Sequence, residues 1–300
     1  MISGQKPSPV TATLIGSSAI LMWGMLALLT TLTGNVPPFL LSALAFGTAT
    51  LLILIKWLVR RENIMGHLKQ PIGAWTVGVC GLFGYHFFYF MALRNAPPVE
   101  AGLIAYMWPL LIVLFSALLP GERLRWWHIA GAVTGFIGAA LLVTDGKGLD
   151  GFKSEYALGY AMAVACALTW SCYSVLNRRF IHVPTDTVGG FCAATALLSA
   201  LCHLAFETTI LPQSTAQWLA VFGLGLFPVG AAFFTWDYGT KHGHIQALGA
   251  FAYAAPLIST LVLIAAGKGE ATWFVVAACL MIVGGAALAS RELIFSTNSR

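Results

Sequence analysis

The chain has 300 residues, of which 58% are hydrophobic and only 9% charged, and its mean hydropathy is +0.82. Soluble domains carry about 25% charged residues, so a soluble fold is excluded because too few charges exist to cover its surface. The net charge of +5 comes from basic residues scattered at the ends of apolar runs, which is the pattern of membrane topology rather than of a nucleic-acid surface.

The apolar runs are close to the ~20 residues that one helix needs to cross a bilayer core. In chain order they predict helices at 10–33, 38–58, 72–93, 98–119 and 125–143, then at 156–177, 187–206, 216–238, 245–266 and 272–290. These are spans 1 to 10 of an all-α membrane protein. Breakers fall between them, among them Gly34 with Pro37 and Pro38, Pro97 with Pro98, and Pro120 with Gly121. Span 1 follows a single lysine, Lys6, and shows no small-residue cleavage site, so it reads as a retained span. The longest connection, around Thr144–Glu155, is too short for a soluble domain and joins two halves, 1–147 and 148–300. All six cysteines (Cys80, Cys166, Cys172, Cys192, Cys202 and Cys279) sit inside apolar runs without a C-x-x-C pair, so they read as packing residues.

Lys and Arg set the direction of threading. With the amino end in the cytoplasm, the inner connections hold Lys6, Lys56, Arg60, Arg61, Lys69, Arg123, Arg125, Arg178, Arg179, Lys241, Arg291 and Arg300. The outer ones hold only Arg94, Lys147, Lys153 and Lys268. Basic connections resist export, so both ends of the chain are expected in the cytoplasm.

The two halves repeat. Gly102–Pro109 and Gly249–Pro256 both read G-x-x-A-Y-x-x-P at an offset of 147, and the same offset carries Gly138–Leu141 onto Gly285–Leu288, Trp126 onto Trp273 and Trp23 onto Trp170. Five spans per half is an odd number, so the second copy starts on the opposite face of the membrane. The predicted architecture is two inverted five-helix repeats around a central cavity, which suits alternating access about a midplane site.

Together with Trp23-Gly24 and the run from Gly84 through Tyr85, His86 and Tyr89, these paired helices resemble the drug/metabolite transporter superfamily. Within it the chain resembles the ten-helix EamA-type exporters, and most of all the bacterial aromatic amino acid exporters. That resemblance implies a secondary transporter in the bacterial inner membrane that moves aromatic amino acids and related small metabolites outward. Export of drugs or amphipathic cations is the alternative, and a channel a more distant one. No cofactor, metal or nucleic acid is expected, and a monomer is favoured.

Candidate substrate contacts follow from helix geometry. Tyr85, His86 and Tyr89 fall within one 100° arc of span 3. Intramembrane ionisable groups usually face a cavity or a partner, so His86 is either a substrate contact or a neutral packing histidine. Trp57, Trp75, Trp126, Trp127, Trp218, Trp236 and Trp273 fall near span ends and fit an interfacial belt. Trp23, Trp108 and Trp170 lie mid-span. With Tyr106, Tyr253, Tyr173 and Asn177 they suggest a ring-walled cavity suited to flat apolar solutes or organic cations. Proline removes a helical hydrogen bond, so Pro109 and Pro256 read either as hinges or as static bends. Gly131 and Gly135 on span 5 favour close helix packing within the chain.

Every glutamate (Glu62, Glu100, Glu122, Glu155, Glu207, Glu270 and Glu292) falls at a span end or in a connection. Asp237, near the inner end of span 8, comes closest to an intramembrane acid, so transport uncoupled from protons is expected. His182, His203, His242 and His244 lie near span ends, and His242-Gly243-His244 alone makes a poor metal site. Nucleophile and metalloprotease motifs are absent, which argues against an enzyme, and no Walker motif offers direct ATP drive. No repeated ring of filter residues supports a channel.

Overall fold

The computed structural model describes residues 8–147, 153–268 and 270–291. Among these it is all-helical. Nine helices are long and apolar enough to cross a membrane: Pro9–Leu32, Pro38–Val59, Ile72–Asn95, Pro98–Ser116, Trp126–Val143, Ser154–Phe180, Thr185–Phe206, Thr215–His242 and Ile245–Ala265. Trp273–Ala289 is a shorter apolar helix and completes the ten spans. Lys6, Glu292 and Arg300 lie outside the described residues. The near face of the bundle is the one where span 1 begins and span 10 ends; the other is the far face.

Local sequence explains where the spans break. Pro109 cannot donate to the carbonyl four residues back, and its ring crowds that carbonyl. Span 4 accordingly stops as a regular helix at Ala105 and resumes at Trp108. Pro256 has the same effect in span 9, which stops at Phe251 and resumes at Ala254. Spans 3 and 8 each contain a five-residue π-helical turn, Cys80–Gly84 and Phe227–Ala231. These two turns are 147 residues apart, so the repeat extends to the irregularities of the backbone. Span 1 is interrupted at Met25, whereas Ala157–Leu176 in span 6 runs unbroken.

Packing between the halves follows the same exchange. Span 1 packs on spans 8 and 9, and span 6 on spans 3 and 4. Spans 2 and 7, 4 and 9, and 5 and 10 pair with each other. Swapping spans 1–5 for spans 6–10 maps this set of contacts onto itself, which is the signature of a two-fold relation. Because each half has five spans, that axis lies in the plane of the membrane.

In hydrocarbon, helices associate by close backbone approach rather than by burying apolar surface from water. At the near face a Cβ added to Gly16 in span 1 would lie 2.8 Å from the Cα of Gly239 in span 8, so the two backbones touch. Gly131 meets the Gly285 carbonyl of span 10, where an added Cβ would lie 2.4 Å away, and Gly135 seats the ring of Tyr253. Gly131 and Gly135 of span 5 therefore serve packing within the chain. Exposed Trp126, Trp218 and Trp273 fit the interfacial belt. Trp236 corrects that expectation, being fully buried in the centre of the bundle, and Trp57 is buried too, its indole N–H donating to Asp186.

Candidate functional site

The π turns do different work in the two halves. Such a turn takes one carbonyl out of the regular ladder. In span 8 the Pro228 carbonyl accepts the indole N–H of Trp23 at 3.0 Å, tying span 1 to that wall. In span 3 the turn is followed at once by Tyr85 and His86, and His86 Nδ1 lies 2.7 Å from the Leu82 carbonyl inside the turn. With Nδ1 engaged there, Nε2 is the nitrogen left to meet another group.

Around these turns the rings gather at the centre. Trp23 lies 5.0 Å from Trp236, 5.7 Å from Trp170 and 6.1 Å from Trp108, measured between ring centroids. Phe233 stacks on Phe46 at 5.6 Å and tilts against Trp170 at the same distance. Offset and edge-on ring pairs contribute about 0.5–1.5 kcal/mol each beyond their buried area, so this cluster is a rigid partition across the middle of the molecule. The rings face inward and pack on one another.

Beside the partition is a polar face. Tyr85 stacks on Tyr89 at 6.1 Å and tilts against Trp170 at 5.3 Å, while His86 stands edge-on to Phe46 at 5.1 Å. Tyr106 lies within electrostatic range of Tyr85 and Tyr89, with Cys166 close by. Tyr85, His86, Tyr89 and Tyr106 are surrounded by protein yet each remains partly exposed. Among the described residues, the hydroxyls of Tyr85, Tyr89 and Tyr106 and the indole N–H groups of Trp108 and Trp170 make no hydrogen bond, and none of them is sealed from access. Three phenols, an imidazole nitrogen and two indoles are therefore free to meet a solute that presents both polar atoms and a flat apolar surface.

The profile of the EamA-like transporter family matches residues 10–144 and again residues 157–291. The chain belongs to this family. The two matched stretches are offset by 147 residues, from 10 to 157 and from 144 to 291, and each spans five helices of this EamA-like transporter. It is 54% identical to the aromatic amino acid exporter YddG of Ancylobacter novellus over 280 residues, covering 93% of this chain and 97% of that one. It is 24% identical to the aromatic amino acid exporter YddG of Escherichia coli K12, over 92% of this chain and 96% of the relative. A solved crystal structure of a 53% identical protein superposes with a TM-score of 0.89, covering 95% of this chain and 99% of the other. The chain is thus a multi-pass membrane transporter rather than an enzyme.

Not every expected contact of this EamA-like transporter reaches the polar face. Tyr253 is fully buried, and its hydroxyl accepts the backbone N–H of Leu110 at 3.0 Å. Asn177 is buried at the near end of span 6, donating to Asp237 at 2.9 Å and to Thr240 at 3.2 Å. Tyr173 packs on Trp170 at 5.1 Å, but its hydroxyl is sealed without a partner. Trp236 and Phe233 were missed although the signal was available: they are the repeat mates of Tyr89 and His86, one offset of 147 along the chain.

The buried acids are paired. Asp237 is fully buried, lies 3.0 Å from Lys241 and accepts from Thr185 at 2.6 Å. Glu100 accepts from the hydroxyl of Tyr160. Glu207 accepts the backbone N–H groups of Phe39 and Leu40 at the start of span 2, and it pairs with His203. Glu62, His67 and Asp186 converge within 4.8 Å as metal ligands could. The Lys56 ammonium already sits against Asp186, which also accepts from Trp57, so the cluster is an ion-pair network with its own cation.

Proposed function

We propose that this protein exports aromatic amino acids and related small solutes across the bacterial inner membrane by alternating access. In this reading both ends of the chain are cytoplasmic, in keeping with the Lys and Arg distribution, and the structure is the outward-open state. One observation carries the proposal. Tyr85, His86, Tyr89 and Tyr106 are partly exposed with free polar atoms, while their repeat mates Ala232, Phe233, Trp236 and Tyr253 are buried. In an inverted repeat, the polar residues lie towards the far face and their mates towards the near face. Access therefore runs from the outside, and the partition of rings closes the cytoplasmic side.

The partly exposed rings of Tyr85, Tyr89 and Tyr106 offer stacking for an aromatic side chain, and their hydroxyls, with His86 Nε2, offer hydrogen bonds for the amino acid backbone. No carboxylate belongs to this face, which favours a zwitterionic amino acid over an organic cation. The names of the relatives support the same substrate class. The two halves, 1–147 and 148–300, act as the units that rock, with Pro109 and Pro256 marking the bends. Transport is uncoupled from protons, a reading supported by the pairing of Asp237 with Lys241.

Counterflow in proteoliposomes tests this. Tryptophan loaded on one side should drive saturable uptake of labelled tryptophan, unaffected by collapsing a proton gradient. Competition by cationic drugs but not by tryptophan would overturn the substrate assignment, and strict dependence on the proton gradient would overturn the uncoupled mechanism.

A further inference from the structure

The irregular helices 4 and 9 hold a device that packing alone does not require. The N–H of Leu110 would normally bond to the carbonyl of Tyr106, four residues earlier, but that carbonyl lies at the break forced by Pro109. The tyrosine of the other half supplies the missing acceptor. Tyr253 lays its ring over Gly135 and near Phe136, at 6.2 Å, and offers its hydroxyl to Leu110 at 3.0 Å. Its mate Tyr106 makes no such bond among the described residues and stands partly exposed at the polar face. Yet Leu257 follows Pro256 as Leu110 follows Pro109, so an equivalent N–H lies in span 9. The glycines agree: a Cβ added to Gly102 would meet nothing within 4 Å, whereas at Gly249 it would lie 2.9 Å from Val113 and 3.1 Å from the Pro109 carbonyl.

We infer that Tyr106 and Tyr253 are an exchanging latch, in which each tyrosine locks the broken helix of the opposite half in one transport state and faces the substrate path in the other. The inference rests on the alternating-access reading. Two halves of like sequence can trade conformations, and in an inverted repeat that trade turns the open end from one face to the other. After it, the Tyr106 hydroxyl meets the Leu257 N–H, and Tyr253 leaves Leu110 for the path that opens to the near face. The two seats are unequal. Where Tyr253 rests on Gly135, the mate position is the fully buried Ile282, so the seat for Tyr106 is tighter. The latch therefore favours the state seen here, and Tyr253 acts as a positioning residue that keeps span 4 and its Tyr106 presented to substrate.

Hydrogen–deuterium exchange on the full chain in lipid nanodiscs tests this through the conservative variants Tyr253→Phe and Tyr106→Phe, which keep the rings. Tyr253→Phe should raise exchange several-fold in the near-face segments of spans 8 and 9 and lower it in the far-face segments of spans 3 and 4. Tyr106→Phe should move these two regions in the opposite directions, by less. A rise confined to the residues around Leu110, or changes of the same sign in both variants, would overturn the latch. Exchange needs no substrate, so it judges the latch separately; failure of tryptophan counterflow by the same wild-type preparation in proteoliposomes would sink the transport reading instead.

Discussion

Spans 3 and 4 and spans 8 and 9 are built on the same backbone, with π turns and proline breaks at matching positions, but they carry opposite chemistry. Where the first pair has Tyr85, His86 and Tyr89, the second has Ala232, Phe233 and Trp236. One wall is polar and partly open; the other is apolar and closed. The duplicated scaffold supplies two equivalent bends, while the side chains that differ between the copies leave free polar atoms on one side and packed rings on the other. A symmetric scaffold can thus hold an asymmetric pair of walls, the packed rings of the closed one lying beside the hydroxyls of the open one.

The largest test of that contrast is to damage the closed wall. Trp236→Ala removes a fully buried ring that touches Trp23, Trp108 and Trp170, and whose N–H donates to Ser174 at 3.0 Å. Large-to-small core substitutions of Trp cost about 3–5 kcal/mol, so the variant should show a clear drop in detergent-solubilised thermal stability. Lys241→Met should cost a similar amount, because it leaves Asp237 buried and unpaired; breaking a buried pair from one side costs about 3–5 kcal/mol. Combining it with Asp237→Leu removes the unpaired charge but also the acceptor used by Asn177 and Thr185, so it should recover only part of the loss. If the double variant is no more stable than the single one, the two lost hydrogen bonds outweigh the relief of the buried charge.

Damage to the open wall should read out differently. His86→Ala should lower tryptophan export on the order of tenfold, the equivalent of about 1.4 kcal/mol, while leaving protein level and melting temperature unchanged. Wild-type export from this variant would remove His86 from the site. Tyr89→Phe deletes one free hydroxyl and should have a smaller effect, a few-fold in apparent affinity, since one neutral hydrogen bond is worth about 0.5–1.5 kcal/mol. Should Tyr89→Phe destabilise the protein as much as Trp236→Ala, the division into a recognition wall and a packing wall is wrong.

Most of the fold was legible because bilayer thickness fixes helix length, and because Gly and Pro mark the connections. The predicted span 98–119 ends at Ser116 and 216–238 runs on to His242, small shifts that leave the order and number of spans intact. The polar arc of Tyr85, His86 and Tyr89 was legible from helical periodicity. Partnering was not. Nothing local to Tyr253 shows that its hydroxyl is taken by a backbone N–H 143 residues away, and nothing local to Asn177 shows that it faces Asp237. Trp236 reads as interfacial when span 8 is taken to end at 238, but the helix runs four residues further, to His242. The π turns were likewise invisible, since a π turn leaves no composition signature of its own.

The smallest expected effect belongs to the bends. Pro109→Ala restores an N–H at the break, yet the Ala105 carbonyl it would seek lies where Met107 already turns back to Ile104 at 3.1 Å. The local chain has settled into a tighter turn, so a single alanine should not straighten span 4 while Tyr253 holds Leu110. Stability should change by no more than about 1 kcal/mol, because the gain in helix propensity is opposed by that retained geometry. Exchange between the two states is the more sensitive measure: if the bend moves, Pro109→Ala slows counterflow without altering affinity, and Pro256→Ala does the same from the other half. Unchanged rates in both variants would make the bends static shapers of the bundle, and the motion would then have to be a rigid rocking of one half against the other, with the breaks serving only to place Tyr106 and Tyr253.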